Sequence, residues 1–291
     1  MNLAEKQIIS DQLQNTVVEK TIVKAIVNQN PHNFVWFALE PSQMFCTHEA
    51  NNSVASGYEP LLTGQIIKKA KVVGGRLYIF IADRALSIDF TPQYYMKNSK
   101  LPKRHQLLLM LDDGACLSFT GSLGGALFFL EVGNNGWATE GSFPSVLTDD
   151  FSLDFFLNLI RQTELKSLSA KAFLATKNRI PGLDNTILHE ILWEAGVNPK
   201  SKMVSLEESD FISMYNAIKK VFPAVITAGG LDVQKDLFGY MGGYITKVSK
   251  NTLGKPCARC SEIIAKEAYL GGAVYYCPKC QPLHVPVKDK K

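Results

Sequence analysis

The first half of the chain alternates short apolar runs with polar turns. Ile9, Leu13 and Val17 recur at helical spacing and predict a helix over residues 4–18. Later runs are short, rich in branched and aromatic residues, and bounded by Gly, Asp or Pro, as strands are. These predicted strands are 21–27, 77–82, 85–90, 106–112, 115–120 and 126–132. The pattern predicts a β-sandwich or β-barrel preceded by one helix, with a hairpin turn at Asp113-Gly114.

The hydrophobic period changes in the second half. A stretch rich in Gly, Asn and Ser over 133–143 predicts a linker. Apolar residues beyond it recur at helical spacing, and Ser205 and Glu208 predict a capping box at the start of one helix. The helical faces are marked by Phe155, Leu159, Ile160, Ile187, Leu188, Ile191, Leu192, Phe211, Tyr215, Ile218 and Phe222. The predicted class is α+β, with domains over 1–140, 141–250 and 251–285.

Length and composition exclude several classes of protein. The chain has 291 residues, of which 46% are hydrophobic and 20% charged, and this suits a globular protein of about two domains rather than a disordered one. No stretch approaches the roughly 18 consecutive apolar residues of a membrane helix. Glu5, Lys6 and Asp11 replace the basic start and apolar run of a signal peptide. We expect a cytoplasmic protein without a membrane partner.

The net charge is +4, and the excess of basic residues lies beyond Asp149. Such asymmetry is compatible with a polyanion as partner. It is equally compatible with an ordinary solvated surface. The charge alone therefore does not decide whether the partner is a nucleic acid.

Four cysteines near the C-terminus have the spacing of a zinc site. Cys257 and Cys260 are separated by two residues, as are Cys277 and Cys280. Two such knuckles can offer four thiolates to one tetrahedral Zn²⁺. Two disulfides are the alternative, which a reducing cytosol disfavours. Cys46 and Cys116 stand apart in apolar surroundings and are interpreted as core thiols.

Three stretches together resemble the formamidopyrimidine-DNA glycosylase and endonuclease VIII family of base-excision repair proteins. They are Ser169–Pro199, which is similar to the family's helix-two-turn-helix element; Gly229–Tyr244, with Lys235-Asp236-Leu237-Phe238-Gly239; and the cysteine hairpin Gly254–Gln281. The similarity is looser in the first half. The resemblance implies an N-terminal β-sandwich and a helical domain that ends in a zinc hairpin, binding duplex DNA as a monomer.

The resemblance also assigns DNA-binding residues. Asn185 matches the asparagine that points at a DNA phosphate beside the amides of a helix N-terminus, which is a natural anion site. A helix cap is the alternative for Asn185. Lys171 matches a lysine ahead of the same turn, and a solvated surface lysine is its alternative. Arg76 takes the position of a sandwich lysine, where it can bind phosphate but is a poor proton carrier.

The catalytic end departs from the family pattern. Family members attack the sugar C1′ with an N-terminal proline amine that is followed by glutamate, and a Schiff base results. Here Met1 and Asn2 occupy those positions. The resemblance therefore leaves the amine of Met1 as the nucleophile and Glu5 as the proton carrier, since Asn2 cannot exchange a proton. A first-turn residue that complements the helix dipole is the alternative for Glu5.

Two further family features are missing. The loop that carries an Arg-Arg-Phe wedge reads Gly121-Ser122-Leu123-Gly124-Gly125, which leaves Leu123 as a candidate intercalator. The arginine of the zinc hairpin is replaced by Gly272.

We therefore predict a DNA glycosylase with AP-lyase activity that acts on damaged duplex DNA. The alternative is a family member without catalysis that binds bent or damaged DNA, as the missing proline, glutamate and wedge suggest. A zinc-ribbon protein that contacts RNA or another protein through the same basic half is a third reading.

Overall fold

A computed structural model describes residues 1–29, 36–38, 58–120, 126–132 and 143–285. Contacts divide the chain into two compact units. Unit 1 comprises Met1, 5–142 and 235–240, and unit 2 comprises 2–4, 143–234 and 241–291. Cys46, the loop bearing Leu123 and the predicted linker over 133–142 lie outside the described residues. The three predicted domains remain a prediction, although the contacts group the cysteine hairpin with the helices.

The described part of unit 1 is a helix followed by short strands, as the sequence pattern predicts. Its helices are α1 (Leu3–Thr16, whose first two residues belong to unit 2) and α2 (Tyr58–Leu62). Its strands are β1 (Ile22–Gln29), β2 (Trp36–Ala38), β3 (Ile67–Val73), β4 (Arg76–Ile81), β5 (Arg84–Ile88), β6 (Gln93–Tyr95), β7 (His105–Leu111), β8 (Cys116–Phe119) and β9 (Ala126–Glu131).

These strands form two sheets that share one core. One sheet has the order β1-β7-β8-β6 and the other β2-β9-β5-β4-β3. Alternate residues of strands from both sheets, such as Leu77 and Ile79 of β4 and Leu107 and Leu109 of β7, are fully buried in the same cluster. Ile9, Leu13 and Val17 of α1 join that cluster. The β-sandwich with an N-terminal helix is thus confirmed.

The predicted hairpin at Asp113-Gly114 joins β7 to β8, which pair antiparallel. Gly114 has φ +83° and its amide donates to the carbonyl of Leu111 at 2.9 Å. The left-handed conformation explains why glycine occupies this position.

Unit 2 is helical and ends in a two-stranded hairpin. Its helices are α3 (Leu153–Arg161), α4 (Ala170–Ala175), α5 (Asn185–Ala195) and α6 (Glu208–Thr227), and its strands are β10 (Ala265–Tyr269) and β11 (Gly272–Tyr276). No helix in the described ranges is long and apolar enough to cross a membrane.

The predicted capping box of α6 is wrong by two residues. Glu207 is the N-cap of the helix, and its amide donates to the Oδ2 of Asp210 at 2.9 Å. Ser205 instead ends a short 3₁₀ turn over Met203–Ser205. A carboxylate can serve as the cap acceptor in place of the serine hydroxyl, and this sequence uses it.

Candidate functional site

The four cysteines of unit 2 come together as the spacing predicts. Their Sγ atoms all lie within 4.8 Å of one another. The Sγ distances are 3.4 Å for Cys260 to Cys277 and 3.9 Å for Cys257 to Cys280, and all four are free thiols. Ligands at about 2.3 Å in a tetrahedron lie about 3.8 Å apart, so this cluster suits Zn²⁺. The alternative of two disulfides is not observed.

The cysteine cluster is fixed to the end of α5. The indole Nε1 of Trp193 donates to the Sγ of Cys257 at 3.4 Å, and the guanidinium of Arg259 stacks over the Trp193 ring at 4.2 Å. The side chain of Gln281 accepts from the amide of Cys277 and donates to the carbonyl of Val197, each at 2.9 Å. Because Trp193 contacts one pair of cysteines and Gln281 bonds to the other, the hairpin packs directly against the end of α5.

Lys171 is buried, so the alternative of a solvated surface lysine is wrong. It lies on α4 with 4% of its surface exposed, and its Nζ donates to the carbonyl of Tyr269 at the end of β10, at 2.7 Å. Burial lowers the pKa of this ammonium from its ordinary value. The hydrogen bond to Tyr269 fixes the position of the Lys171 amine at the tip of the hairpin.

Asn185 is the first residue of α5 and not its cap. The N-cap is Asp184, whose Oδ1 accepts from the amides of Thr186 at 2.9 Å and Ile187 at 3.1 Å. Those two amides are consequently not free for an anion, which corrects the expectation of an open helix N-terminus. The side chain of Asn185 is exposed and its Nδ2 donates to the carbonyl of Ala273 at 3.2 Å.

Gly272 opens the space between these two side chains. A Cβ at residue 272 would lie 3.5 Å from the Nζ of Lys171 and 3.9 Å from the Nδ2 of Asn185. The absence of a side chain leaves both nitrogen atoms facing the same point. Both are hydrogen-bond donors, so this point suits an acceptor group such as a phosphate oxygen.

Two buried titratable residues of α5 lie behind this site, and sequence reasoning missed both. His189 is 4% exposed, and its pKa is lowered to about 4 by burial and by the charge of Lys171. Burial raises the pKa of Glu190 to about 7, although its carboxylate accepts from the amides of Lys247 and Val248 at 2.9 Å. Glu190 ties α5 to the segment after Tyr244, and it has no sequence signal apart from a charge on an apolar helical face.

A cavity of about 210 Å³ lies beside α5 within unit 2. Its wall includes Asn185, His189, Gln234, Thr246 and Lys250. The Nε2 atom of His189 is buried and has no hydrogen-bond partner. Apolar atoms contribute more of this wall than polar atoms do, although most of the lining residues have polar side chains.

The N-terminal residues are held by packing. Met1 is half-buried and packs against the core of unit 1. Asn2 is fully buried, and its Nδ2 donates to the Oε1 of Gln234 at 3.3 Å. The amide of Leu3 donates to the carbonyl of Gly182 at 2.6 Å. Glu5 is 7% exposed in the first turn of α1.

Arg76 begins β4, directly after the turn at Gly74-Gly75. The Nζ of Lys6 on α1 donates to the carbonyl of Gly75 at 2.7 Å, and Lys6 is 7% exposed. Sequence reasoning missed Lys6, although a lysine among the apolar positions of α1 is a visible signal. Cys116 is buried in β8 and burial raises its thiol pKa, as suits a core residue.

Sequence comparison finds relatives in bacteria. A formamidopyrimidine-DNA glycosylase of Carboxydothermus hydrogenoformans is 32% identical over 143 residues, which are 47% of this chain and 52% of the relative. One from Enterococcus faecalis is 23% identical over 97% of both chains. The chain thus spans about half the length of the first relative and nearly all of the second. No family model matches the chain.

Solved structures that match 97% of this chain share its fold. The complex of Lactococcus lactis Fpg with DNA containing an abasic site has a TM-score of 0.78 at 19% identity and covers 97% of this chain and 99% of that one. The complex of the same protein with DNA containing an oxidised pyrimidine has a TM-score of 0.77 at 20% identity. The chain is thus similar to formamidopyrimidine-DNA glycosylases in its sequence and shares the fold of Lactococcus lactis Fpg.

Proposed function

We propose that this protein binds damaged duplex DNA and removes the damaged base as a DNA glycosylase with AP-lyase activity. The observation that carries the proposal is the pair of donors over Gly272, where Lys171 and Asn185 face one point at the end of the hairpin. The names of the relatives and the DNA in the structures that share the fold support the same function.

Phosphate binding is assigned to three residues. The Nζ of Lys171 and the Nδ2 of Asn185 would donate to one phosphate, and the guanidinium of Arg76 would bind another part of the backbone. Such contacts position the duplex and do not read its sequence. Binding should therefore weaken steeply with salt.

Catalysis is assigned to the N-terminus. The α-amine of Met1 would attack C1′ of the damaged nucleotide, the base would leave with the electrons of the glycosidic bond, and Glu5 would move the proton. The C1′–O4′ bond would then break, with the proton of the attached nitrogen passing to O4′, to give the Schiff base. Loss of a C2′ proton from this Schiff base would break the C3′–O bond, and the 3′ phosphate would leave. The packing of Met1 against the core supports a fixed position for this amine.

A structural Zn²⁺ would be held by Cys257, Cys260, Cys277 and Cys280. The ion would supply folding energy to the hairpin rather than chemistry, since all four ligand positions are filled by protein. The hairpin in turn carries the carbonyl groups that hold Lys171 and Asn185.

Borohydride trapping tests the catalytic part of this proposal. The wild-type protein would be incubated with a duplex carrying one abasic site, reduced, digested and analysed by mass spectrometry. We expect an adduct on the amine of Met1. In the Glu5→Gln variant we expect the same adduct to form about 10²- to 10⁴-fold more slowly.

A second candidate function is binding without catalysis. Asn2 is buried and cannot exchange a proton, and it stands where the family has glutamate. Tight binding to the abasic duplex without any adduct would favour this candidate. Equal affinity for RNA and duplex DNA would instead favour the reading as an RNA- or protein-binding zinc ribbon.

A further inference from the structure

The turn of the cysteine hairpin holds a leucine in a conformation that suits glycine. Tyr269 pairs with Gly272, so a two-residue turn joins β10 to β11. The turn consists of Leu270, with φ +51°, and Gly271, with φ +72°. Asn-Gly and Gly-Gly are common pairs in such a turn, because a bulky side chain is disfavoured at a positive φ. The geometry of the turn therefore gives no reason for a leucine.

Packing gives no reason for this leucine either. The Leu270 side chain is 55% exposed and does not belong to the apolar cluster around Trp193 and Ile264. Among the described residues it is also the one large apolar side chain at a positive φ. The other residues of that kind, glycines aside, are Glu19, Ala82, Asn98, Lys177, Asn178 and Ser261. A disfavoured conformation combined with exposure points to a role in binding.

Both strands of the hairpin are held by the helical part of unit 2. Glu267 of β10 forms an ion pair with Lys200 at 2.6 Å. The carbonyl of Ala273 on β11 accepts from the side chain of Asn185 at 3.2 Å. The turn between two fixed strands has little freedom to lose, so Leu270 is presented to a partner by a preorganised support.

Leu270 adjoins the donor site of Lys171. Tyr269, directly before the leucine, accepts from the Nζ of Lys171 at 2.7 Å. Gly272, two residues after it, faces the same nitrogen atom. Two residues span at most about 7 Å, which is the rise of about two base pairs. A phosphate bound by Lys171 would therefore bring the leucine beside the base stack of the same duplex.

An apolar side chain beside phosphate donors suits the interior of a duplex rather than its backbone. Proteins that kink DNA insert leucine, methionine, isoleucine or phenylalanine between base pairs from the minor groove. A damaged or missing base makes the step beside it easier to open. The turn is also narrow, since no atom of the described residues lies within 4 Å of a Cβ placed on Gly271.

We propose that Leu270 inserts between two base pairs of the bound DNA as an apolar wedge and opens the stack beside the phosphate held by Lys171. The proposal rests on the function proposed above, because it takes damaged duplex DNA as the ligand. It gives the tip of the cysteine hairpin a role in deforming the DNA, which phosphate contacts alone do not supply. It also explains why a leucine occupies a turn that glycine or asparagine would stabilise.

Leu270→Asn separates this role from a structural one. Asparagine tolerates a positive φ, so the variant should resist urea better than wild type does. Its affinity for a labelled duplex with one abasic site should nevertheless fall about 10- to 100-fold, the scale of one lost leucine contact. Leu270→Met should retain most of the affinity. Ile263→Ala is the matched control, because Ile263 is 50% exposed and precedes β10 at the opposite end of the hairpin.

Two further measurements identify the wedge. A 2-aminopurine beside the abasic site should brighten when wild type binds, because an opened stack relieves its quenching, and should stay dim with Leu270→Asn. The slope of log affinity against log salt should be the same for wild type and Leu270→Asn, because the leucine carries no charge.

The proposal can fail in three ways. If Leu270→Asn binds as tightly as wild type and brightens the probe equally, the wedge is wrong while the proposed function stands. If Leu270→Asn changes only the sedimentation of the free protein, the leucine is a protein contact. If wild type itself does not bind the duplex, the wedge and the proposed function fail together.

Discussion

The ammonium group of Lys171 lies 3.5 Å from the position that a Cβ atom on residue 272 would occupy. Lys171 belongs to α4 and Gly272 to the cysteine hairpin, so two elements distant in the chain define one donor site. The lysine is held there by its 2.7 Å hydrogen bond to the carbonyl of Tyr269. A side chain added at residue 272 would enter the site that the lysine faces.

Gly272→Arg should strengthen DNA binding. The backbone of residue 272 is not left-handed, and a Cβ there would make only ordinary contacts. The guanidinium adds one phosphate contact, so the slope of log affinity against log salt should steepen by about one. Anisotropy titrations at several salt concentrations measure this slope. Gly272→Ala is the comparison, because it adds the Cβ atom without the charge and should not steepen the slope.

Lys171→Met should weaken DNA binding uniformly across sequences. The substitution keeps the length and burial of the side chain but removes its charge and its bond to Tyr269. We expect the salt slope to become shallower by about one. Lys166→Met removes an exposed charge from the same unit and should have a smaller effect. Equal effects of the two substitutions would contradict a specific role for Lys171.

Gly182→Ala should destabilise unit 2. A Cβ at residue 182 would lie 2.7 Å from the Cβ of Leu3, and the residue has φ +80°. We expect a loss of about 2 to 4 kcal/mol in the free energy of unfolding, from strain and overpacking together. Gly64→Ala separates the two causes, since Gly64 has φ +84° with nothing within 4 Å of the added Cβ. Urea denaturation of both variants gives the comparison, and similar losses would mean that the Leu3 contact is irrelevant.

His189 should make the protein less stable as pH falls from 7.5 to 5.5. Its folded pKa of about 4 lies below the ordinary value of about 6.5, so the unfolded chain takes up a proton that the folded chain does not. The contribution is present above pH 6.5 and is lost as pH falls, by about 1 to 2 kcal/mol at pH 5.5. His189→Asn should remove this loss in urea denaturation.

Glu190 should make the protein more stable as pH falls from 7.5 to 5.5, which is opposite to the effect of His189. Its folded pKa of about 7 lies above the ordinary value, so the folded state binds the proton and is stabilised as pH falls. That contribution is lost as pH rises through 7. Glu190→Gln should therefore lose stability more steeply on acidification than wild type does. If the free energy of unfolding of wild type, His189→Asn and Glu190→Gln depended on pH in the same way, the pKa values of both residues would be wrong. The metal content of each protein is measured at every pH as the control.

Removal of the metal should unfold the hairpin and abolish DNA binding. Without Zn²⁺ the thiolates repel, and the carbonyl groups of Tyr269 and Ala273 no longer hold Lys171 and Asn185. If the four cysteines hold one zinc ion as proposed, Cys280→Ser and chelation should each lower the bound zinc below one ion per chain. Both should also disorder the hairpin, which hydrogen exchange of β10 and β11 would show. Cys116→Ser, in the sandwich core, should retain the ion.

The sequence predicts elements well where one hydrophobic period persists, and less well where charge interrupts it. Strand β3 was not predicted because Lys68, Lys69 and Lys71 separate its buried residues, which recur at every third position instead of every second. The cysteine cluster follows from spacing alone and was predicted fully. The cap of α5 was missed because Asp184 precedes the asparagine that carries the family resemblance.

The burial of Lys171 and His189 could not be predicted, since it depends on the hairpin that closes over α5. The same limit applies to residues 235–240, which lie late in the chain but pack in the first unit. Contacts between residues so far apart in the chain leave no local sequence pattern. The burial of Leu237 in the sandwich core could therefore not be predicted from its neighbours in the sequence.

Leu237 also determines how the protein can be divided for study. A fragment that ends at residue 142 would lack this leucine, which is fully buried in the sandwich core, and would leave the side-chain amide of Gln12 without two bonds. A fragment that begins at residue 143 would carry the same leucine with no core to fill. Neither fragment would therefore have a complete set of core contacts. A variant that expresses the sandwich separately should include residues 235–240, joined to it by a linker.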